Sequence, residues 1–483
     1  MENVSAATNA KKQELRTYLS YSLPIDPARV ITLTEMDMSY ALGSTLVEMD
    51  DSKQIVGGLS SHWSMKGDRT YRFQLSEKAK WSDGSKITCT DIKKSFARAK
   101  QDHQADLRSL FDRIGSIECI NEGQIDIHLK DAEKDGSFLK KLTEPMYGVV
   151  KTDASGHLDL GLSSGPFSLQ SQSTLELILK KNPHWVHPAE ELAESIIIKQ
   201  PSREASLQGK LQDPWPNIIA AHSLMEEELS ARIQAQGFHT WARNLDRTFW
   251  FIFMGKKQIT EDERGLFLFL AQNLTRQTLM TNLMANLKGY TAGQEVFPRG
   301  YALYGETKQE QKGAATLPEI YKSRKLKILI SPDRVSKKLQ DNLSKAIEQA
   351  TGKAPEYKEV PISEVSSTAK QGGFDFYAGS VGVADSNLDG ALSYFLELNP
   401  TSIPSGAGEL DFAGRLGRAR SLDSEEKRIR EFRAIMLDVT RNGYALPLFH
   451  FSTTVFARPE IDLSQIPVTD ESVSFAKVRF SGK

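Results

Sequence analysis

Cysteine is almost absent from this chain of 483 residues. Its two cysteines, Cys89 and Cys119, are too few for a disulfide framework or for a cysteine-rich metal site. They are able to pair if the protein is exported, and they are equally compatible with two buried thiols. The composition leaves both alternatives open.

Long apolar runs are also missing. A helix that crosses a bilayer needs roughly 20 apolar residues. The richest runs here, residues 249–254 and 266–271, have six each, and the chain is therefore predicted not to span a membrane. Residues 1–12 contain no apolar segment of the signal-peptide type. The protein is then either cytoplasmic or exported with its signal already removed.

An excess of one charge is lacking as well. Lys and Arg number 61 against 62 Asp and Glu, a net charge of −1. Dedicated DNA- or RNA-binding proteins usually have a basic excess, so nucleic acid is not expected as a partner. Neither a P-loop nor a G-x-G-x-x-G motif occurs, and no cofactor is predicted. The nine histidines are dispersed, and even the close pair His184 and His187 has no third ligand nearby, so no metal site is predicted.

One pattern resembles that of a hydrolase. Residues 161–165 read G-L-S-S-G, which matches a nucleophile elbow, but that elbow needs a helix after its serine. Here Pro166 and an alternating segment follow Ser163, which predicts a strand. We interpret the segment as a glycine-rich turn and predict that the chain is not an enzyme.

The sequence does contain two regions of different pattern. Its length predicts two to four packed units at roughly 100–200 residues each. A helix is predicted over about 35–48. Residues from about 45 to 150 combine a strand at 71–75, a helix over 88–99 and a hairpin within 117–129, which predicts a small α+β unit.

From about residue 249 the pattern becomes that of an α/β domain. Residues 249–253 are five large apolar residues in a row, as expected of a strand buried on both faces. Strands at 326–330 and 374–378 flank a helix with apolar residues at four-residue intervals over 335–347. This order predicts parallel strands with a ligand crevice at their carboxyl ends.

Short motifs along the chain form an ordered set. They are P-I-D-P at residues 24–27, L-V-E-M-D at 46–50, G-G-L-S-S-H-W at 57–63, Y-R-F-Q-L at 71–75, W-S-D-G and T-C-T-D within 81–91, G-P-F at 165–167, L-K-K-N-P-H-W at 179–185, E-K-R at 426–428 and P-L-F at 447–449. In this order, over essentially the whole chain, they resemble the family 5 extracellular solute-binding proteins. That family is the oligopeptide, dipeptide and nickel class that serves ABC importers.

The resemblance implies an α/β, two-lobed periplasmic binding protein fold (type II, cluster C-like) with an extra α+β subdomain in lobe 1. The two lobes would be joined by two crossover strands and would close on the ligand like a hinge. Lobe 1 would comprise residues 1–44, 151–247 and a C-terminal return at 446–483, with 45–150 as the extra subdomain. Lobe 2 would be residues 248–445.

The resemblance also implies a ligand site. In peptide-binding members an extended peptide lies between the lobes, and an Asp in a W-x-A-D-Y stretch binds its α-ammonium group. The matching stretch here is V-G-V-A-D-S at 381–386, in which Gly382 and Ser386 replace the Trp and the Tyr and suggest a roomier or different pocket. Asp385 falls on the Asp, and a turn or a helix cap is the alternative role for it.

By position, further residues would contact the ligand. The predicted set is Asp385, Val381, Gly382 and Val383 in this stretch, Ile31, Thr32 and Leu33 on a strand of lobe 1, and Phe449 and His450 at the second crossover. Core packing is the alternative for Leu33 and Phe449, and a hinge role is the alternative for His450.

The function that follows is capture of a short peptide or similar small solute and its delivery to an ABC transporter permease. The protein would be a monomer in the periplasm or outside the cell, with its export signal absent from this sequence. It would contact the membrane only through the permease or a removed lipid anchor, and it would need no cofactor. The alternatives are a ligand-sensing or chaperone-like periplasmic receptor of the same fold and, less favoured, a cytoplasmic regulator with a helix-turn-helix, a module that the first forty residues lack. Neighbouring permease and ATPase genes would favour transport.

Overall fold

The computed structural model describes residues 13–481 with gaps. The gaps are residues 20, 22, 24, 28–32, 51–53, 102–109, 134–135, 154, 190, 201–215, 222–226, 243–246, 254–258, 282, 284–294, 299–301, 307–313, 333, 383–391, 393–410, 423, 453 and 467–473.

Within this range the chain alternates short strands with helices. The strands are β1 (Glu14–Tyr18), β2 (Val47–Met49), β3 (Ile55–Gly57), β4 (Ser60–Lys66), β5 (Thr70–Leu75), β6 (Ile114–Asn121), β7 (Gln124–Leu129), β8 (Val150–Thr152), β9 (Leu158–Ser163), β10 (Phe167–Gln172), β11 (Glu176–Lys181), β12 (Ser195–Lys199), β13 (Ile218–Ala221), β14 (His239–Ala242), β15 (Arg247–Phe253), β16 (Lys327–Ile330), β17 (Glu356–Glu359), β18 (Phe376–Gly382), β19 (Ala445–Phe451), β20 (Thr454–Ala457), β21 (Ile461–Asp462) and β22 (Arg479–Phe480). The α-helices are α1 (Leu33–Leu42), α2 (Cys89–Gln101), α3 (Ser137–Leu142), α4 (Glu227–Ala235), α5 (Glu261–Asn273), α6 (Arg276–Leu279), α7 (Glu319–Ser323), α8 (Lys337–Thr351), α9 (Ile362–Gln371), α10 (Phe412–Arg420) and α11 (Glu425–Arg441). Single 3-10 turns lie at Pro145–Tyr147 and Phe475–Lys477.

The first lobe is assembled from distant parts of the chain. One sheet has the order β1-β12-β11-β10, and a second has β20 between β13 and β14. The buried amide of Asn217 joins the two sheets, because it donates to the Glu14 carbonyl at 2.8 Å and accepts from the Arg16 amide at 2.7 Å. The alternating apolar residues of β11 and β12, such as Leu177 and Ile196, form the core below the first sheet.

A subdomain with its own core is inserted into this lobe. Its sheet has the order β4-β5-β7-β6, and the β6–β7 pair is the hairpin predicted from the sequence. The buried apolar residues of its core all lie between Leu46 and Val149. Cys89 and Cys119 are bonded, which joins the start of α2 to β6 and decides between the two alternatives left open by the composition. An ion pair between Arg98 on α2 and Asp26 attaches the subdomain to the first lobe.

The second lobe is built on a five-stranded sheet of order β17-β16-β18-β15-β19. β16 runs parallel to β17 and β18, as the strand–helix–strand pattern predicts, whereas β15 runs antiparallel to β18 and β19. Every residue of β15 is buried, because helices cover both faces of the sheet. Away from the sheets, Lys140 on α3 forms an ion pair with Glu425 at the start of α11, so the subdomain also contacts the second lobe.

Three expectations differ from the structure. Leu33 is the first residue of α1 and is not on a strand. That helix ends at Leu42 and not at 48, because the chain after it is extended: Ser44 forms an antiparallel bridge with Val149, and Val47–Met49 form β2. The expected boundary between residues 445 and 446 falls inside β19, whose residues through Phe451 pair with β15 in the second lobe.

Candidate ligand-binding site

Three strand ends meet at one edge of the five-stranded sheet. Thr248, near the start of β15, is paired with Val381 on β18 and with His450 on β19. Directly opposed residues of an antiparallel pair direct their side chains to the same face. The structure therefore brings Val381 and His450, two residues predicted from the sequence, together on either side of a threonine.

This edge lies where the chain passes between the two lobes. β14 of the first lobe precedes β15 by four residues, and β20 of the first lobe follows β19 after two. β14 and β20 pair with each other, with Ala242 opposite Thr454. The described ends of both crossovers therefore lie side by side, close to Thr248 and His450. A ligand held here would contact the junction of the lobes.

His450 is a buried polar group at this junction, with 1% of its surface exposed. Its Nδ1 atom lies 2.9 Å from Thr248 Oγ1, and its Nε2 atom has no hydrogen-bond partner and lies 3.7 Å from Glu295 Oε2. Burial lowers the pKa of His450 to about 4, because the charged imidazolium loses its hydration. His450 is therefore neutral at neutral pH, and its approach to Glu295 is not an ion pair.

The segment beside His450 carries a second carboxylate. Glu295 forms an isolated antiparallel bridge with Glu306, next to a backbone hydrogen bond of 2.9 Å from Val296 to Gly305. The Tyr304 hydroxyl donates to Glu306 and lies 3.4 Å from Glu295 Oε1. We call Glu295, Glu306 and Tyr304 the acidic cluster.

The other predicted site residues have different positions. Phe449 is fully buried and stacks on Phe249 at 5.1 Å between ring centroids, so it belongs to the core and does not line a crevice. Gly382 is half-buried and ends β18 opposite Arg247, which is buried. Four predicted residues lie outside the described residues: Ile31, Thr32, Val383 and Asp385.

Sequence reasoning missed three polar residues at this edge. Arg247 and Thr248 directly precede the apolar run of β15, and Glu295 follows it by more than forty residues. A polar pair in front of a strand buried on both faces is a usable signal, because burying polar groups is costly without a partner or a function. No comparable signal marks Glu295.

Ser163 of the G-L-S-S-G segment has a structural role. It ends β9 and a strand, β10, follows, as the sequence predicts. Its buried hydroxyl donates to the Leu42 carbonyl at 2.7 Å and accepts from the Gly165 amide at 2.9 Å. The hydroxyl therefore fixes the turn between β9 and β10 against the end of α1.

Metal-binding groups and membrane-spanning helices are both lacking among the residues that the structure describes. None of their His, Cys, Asp and Glu side chains form a group of three or more placed to hold a metal ion. No helix among them combines the length and the apolar character that crossing a membrane requires.

Part of the chain matches a known protein family. Residues 54–236 match the model of the bacterial extracellular solute-binding proteins, family 5 Middle. The periplasmic murein peptide-binding protein MppA of Escherichia coli (strain K12) is 32% identical over 95 residues, which are 20% of this chain and 18% of MppA. The sequence match therefore spans about a fifth of that relative.

Solved structures extend the likeness over the whole chain. The murein tripeptide-binding protein MppA of Escherichia coli has a TM-score of 0.76 at 16% identity, over 98% of this chain and 99% of MppA. Haemophilus influenzae OppA in complex with RPPGFSPFR has a TM-score of 0.75 at 14% identity, over 97% of this chain and 99% of OppA. This likeness confirms the two-lobed fold. With the matched segment it confirms the resemblance drawn from the motifs: residues 54–236 match family 5 of the bacterial extracellular solute-binding proteins, and the whole chain has the fold of the MppA and OppA structures.

Proposed function

We propose that the chain binds a short peptide or similar small solute between its two lobes and delivers it to an ABC importer. The observation that carries the proposal is the row of directly paired residues Val381, Thr248 and His450, which lies beside the described ends of both crossovers. A ligand at this place contacts the part of the fold where one lobe moves relative to the other. Its binding energy then acts directly on closure.

The mechanism is closure without covalent chemistry. A ligand that contacts both lobes binds the closed form more tightly than the open form and shifts the population toward it. The permease would then recognise the closed form. Two similar proteins support a peptide as the ligand: MppA is a murein peptide-binding protein, and the OppA structure contains the peptide RPPGFSPFR.

The proposed ligand contacts are the residues predicted from the sequence, except that Phe449 supports the site from the core. Asp385 would bind the α-ammonium of a peptide, while Val381, Gly382 and Val383 would pair with its backbone as an added strand. Ile31 and Thr32 would contact it from the first lobe, with Leu33 at the start of α1. His450 would offer its unpaired Nε2 atom to the ligand, and Phe449 would support that surface from the core.

Localisation outside the cytoplasm belongs to the same proposal. Disulfides persist in oxidising compartments, so the Cys89–Cys119 bond supports an exported protein, which we propose to be a monomer. It would meet the membrane through the permease or through a lipid anchor.

Native mass spectrometry of protein purified from the periplasm, without unfolding, tests the proposal. We expect adducts whose fragments are short peptides, and their loss on refolding in buffer. A matched sample of a His450→Ala variant should retain less of the same adducts. One non-peptide species in the wild type would redirect the assignment, and no adduct combined with no binding of added peptides would contradict it.

A further inference from the structure

One ion pair joins the two lobes outside the crossover strands. Lys140 Nζ, on α3 of the subdomain, pairs with Glu425 Oε1 in the first turn of α11 in the second lobe. Among the residues that the structure describes, neither side chain makes another hydrogen bond or ion pair. The Lys140 ammonium and the Glu425 carboxylate therefore depend on each other for a partner.

Each of the two charges is fixed on a helix that packs into its own core. On α3, Phe138 and Leu142 are buried in the core of the subdomain. On α11, Phe432 and Val439 are buried in a core of the second lobe. The position of each charge therefore follows the position of its lobe, and the pair has to break when the two lobes move apart.

We propose that Lys140 and Glu425 form an electrostatic latch that sets how much of the ligand-free protein is closed. The latch rests on the proposed function, since it acts only if the lobes close around the crossovers. Its two side chains are 36% and 53% exposed, so dissolved ions reach both. Screening shortens the range of such an attraction from about 30 Å at about 0.01 M ionic strength to about 3 Å at about 1 M. The closed fraction would therefore fall as the ionic strength of the surroundings rises.

The size of the effect suits a device that is easily released. Exposed ion pairs contribute little to stability, and removing one changes an equilibrium by up to about 5-fold. The lobes can then still open to admit a ligand. A ligand that contacts both lobes adds its own preference for the closed form, so it can hold the lobes together when the latch is screened.

Single-molecule Förster resonance energy transfer on the full chain, without ligand, tests the latch. One dye is attached at Lys130 on the subdomain and one at Glu348 on α8, both exposed positions. Unnatural amino acids carry the dyes, so the Cys89–Cys119 bond stays intact. Raising the ionic strength from about 0.01 M to about 1 M should increase the open-to-closed ratio of the wild type by up to about 5-fold.

Charge reversal assigns the effect to the pair. Lys140→Glu places two carboxylates together, so it should increase the open-to-closed ratio at low ionic strength. Adding Glu425→Lys restores a pair of opposite charges and should return the ratio toward that of the wild type. Glu425→Gln, which should also increase the ratio, serves if the reversed pair fails to fold, as thermal unfolding reveals. The matched control is Lys322→Glu, which changes the net charge equally but breaks an ion pair with Glu319 inside α7, and it should leave the ratio unchanged.

The outcomes separate the latch from the proposed function. Open and closed populations whose ratio responds neither to salt nor to Lys140→Glu overturn the latch and leave closure on a ligand in place. An effect of Lys140→Glu that neither the reversed pair restores nor Glu425→Gln reproduces also overturns it. A single population in every sample contradicts hinge closure, and with it both proposals.

Discussion

Opening the Cys89–Cys119 bond should loosen the subdomain selectively. The bond closes a loop with a sequence separation of 30 residues. In the chain-entropy model such a loop restricts the unfolded state by about 12 cal/mol/K, which is about 3.6 kcal/mol at 25 °C. Cys119 is exposed whereas Cys89 is fully buried, so Cys119→Ala removes the cross-link with little loss of packing.

Hydrogen–deuterium exchange followed by mass spectrometry gives a local measurement. A loss of 3.6 kcal/mol corresponds to roughly 400-fold faster exchange of the amides that open with the subdomain. Peptides covering β6 and β7 should show this acceleration in Cys119→Ala and in the reduced wild type. Peptides covering β16 in the second lobe should exchange at unchanged rates, because that sheet has a separate core.

Reductant is the control for the variant. Dithiothreitol should accelerate exchange in the wild type and have no effect on Cys119→Ala. If β7 exchanges equally fast in oxidised wild type and in the variant, the bond does not stabilise the subdomain and the loop-closure reasoning is wrong. Equal acceleration in both lobes would instead show that the subdomain and the second lobe unfold as one unit.

The remaining predictions concern the ligand, the core and pH. Asp385→Ala should weaken binding of a free-amine peptide by about 1–3 kcal/mol in calorimetry, the cost of losing a charge-assisted partner, and an N-acetylated peptide should show no such difference. Phe449→Ala should lower the free energy of unfolding by about 3–5 kcal/mol in urea titrations, since the ring is fully buried against Phe249. The hydrogen bond from His187 Nε2 to Glu48 Oε2, 2.9 Å long, raises the pKa of His187 above 6.5, against a smaller opposing effect of burial. The stabilisation that this hydrogen bond gives the folded state is complete below pH 6.5 and is lost as the pH rises through the raised pKa of His187. The difference in free energy of unfolding between wild type and His187→Gln should therefore shrink as the pH rises. A difference that stays constant with pH would refute the assignment.

Local patterns predicted the elements of this fold well. The five large apolar residues after Thr248 predicted a strand buried on both faces, and β15 is that strand. The four-residue intervals of 335–347 predicted α8, which ends at Thr351 and is capped by Gly352 with a φ of 79°, in the left-handed region that favours glycine. These features depend on neighbours within a few residues, and the sequence records them directly.

Contacts between distant segments were not predictable in the same way. The parallel pairing of β1 with β12 joins residues about 180 positions apart, and no local pattern specifies it. Val381 and His450 were predicted as site residues from the family resemblance. Their common neighbour Thr248 is revealed only by the strand register of the structure. The end of α1 at Leu42 is followed by the bridge of Ser44 with Val149, about a hundred residues away, which likewise no helical periodicity reveals.

The position of the two crossovers has a kinetic consequence. The described ends of both crossovers lie beside Thr248 and His450, so a hinge rotation of the proposed kind would have its axis close to these residues. The ion pair between Lys140 and Glu425 joins the subdomain to the second lobe, and it would have to separate when the lobes open. Substitutions near the axis should therefore act mainly on the dissociation rate of the ligand. Substitutions at the Lys140–Glu425 contact should act mainly on how often the entrance is open, and hence on the association rate.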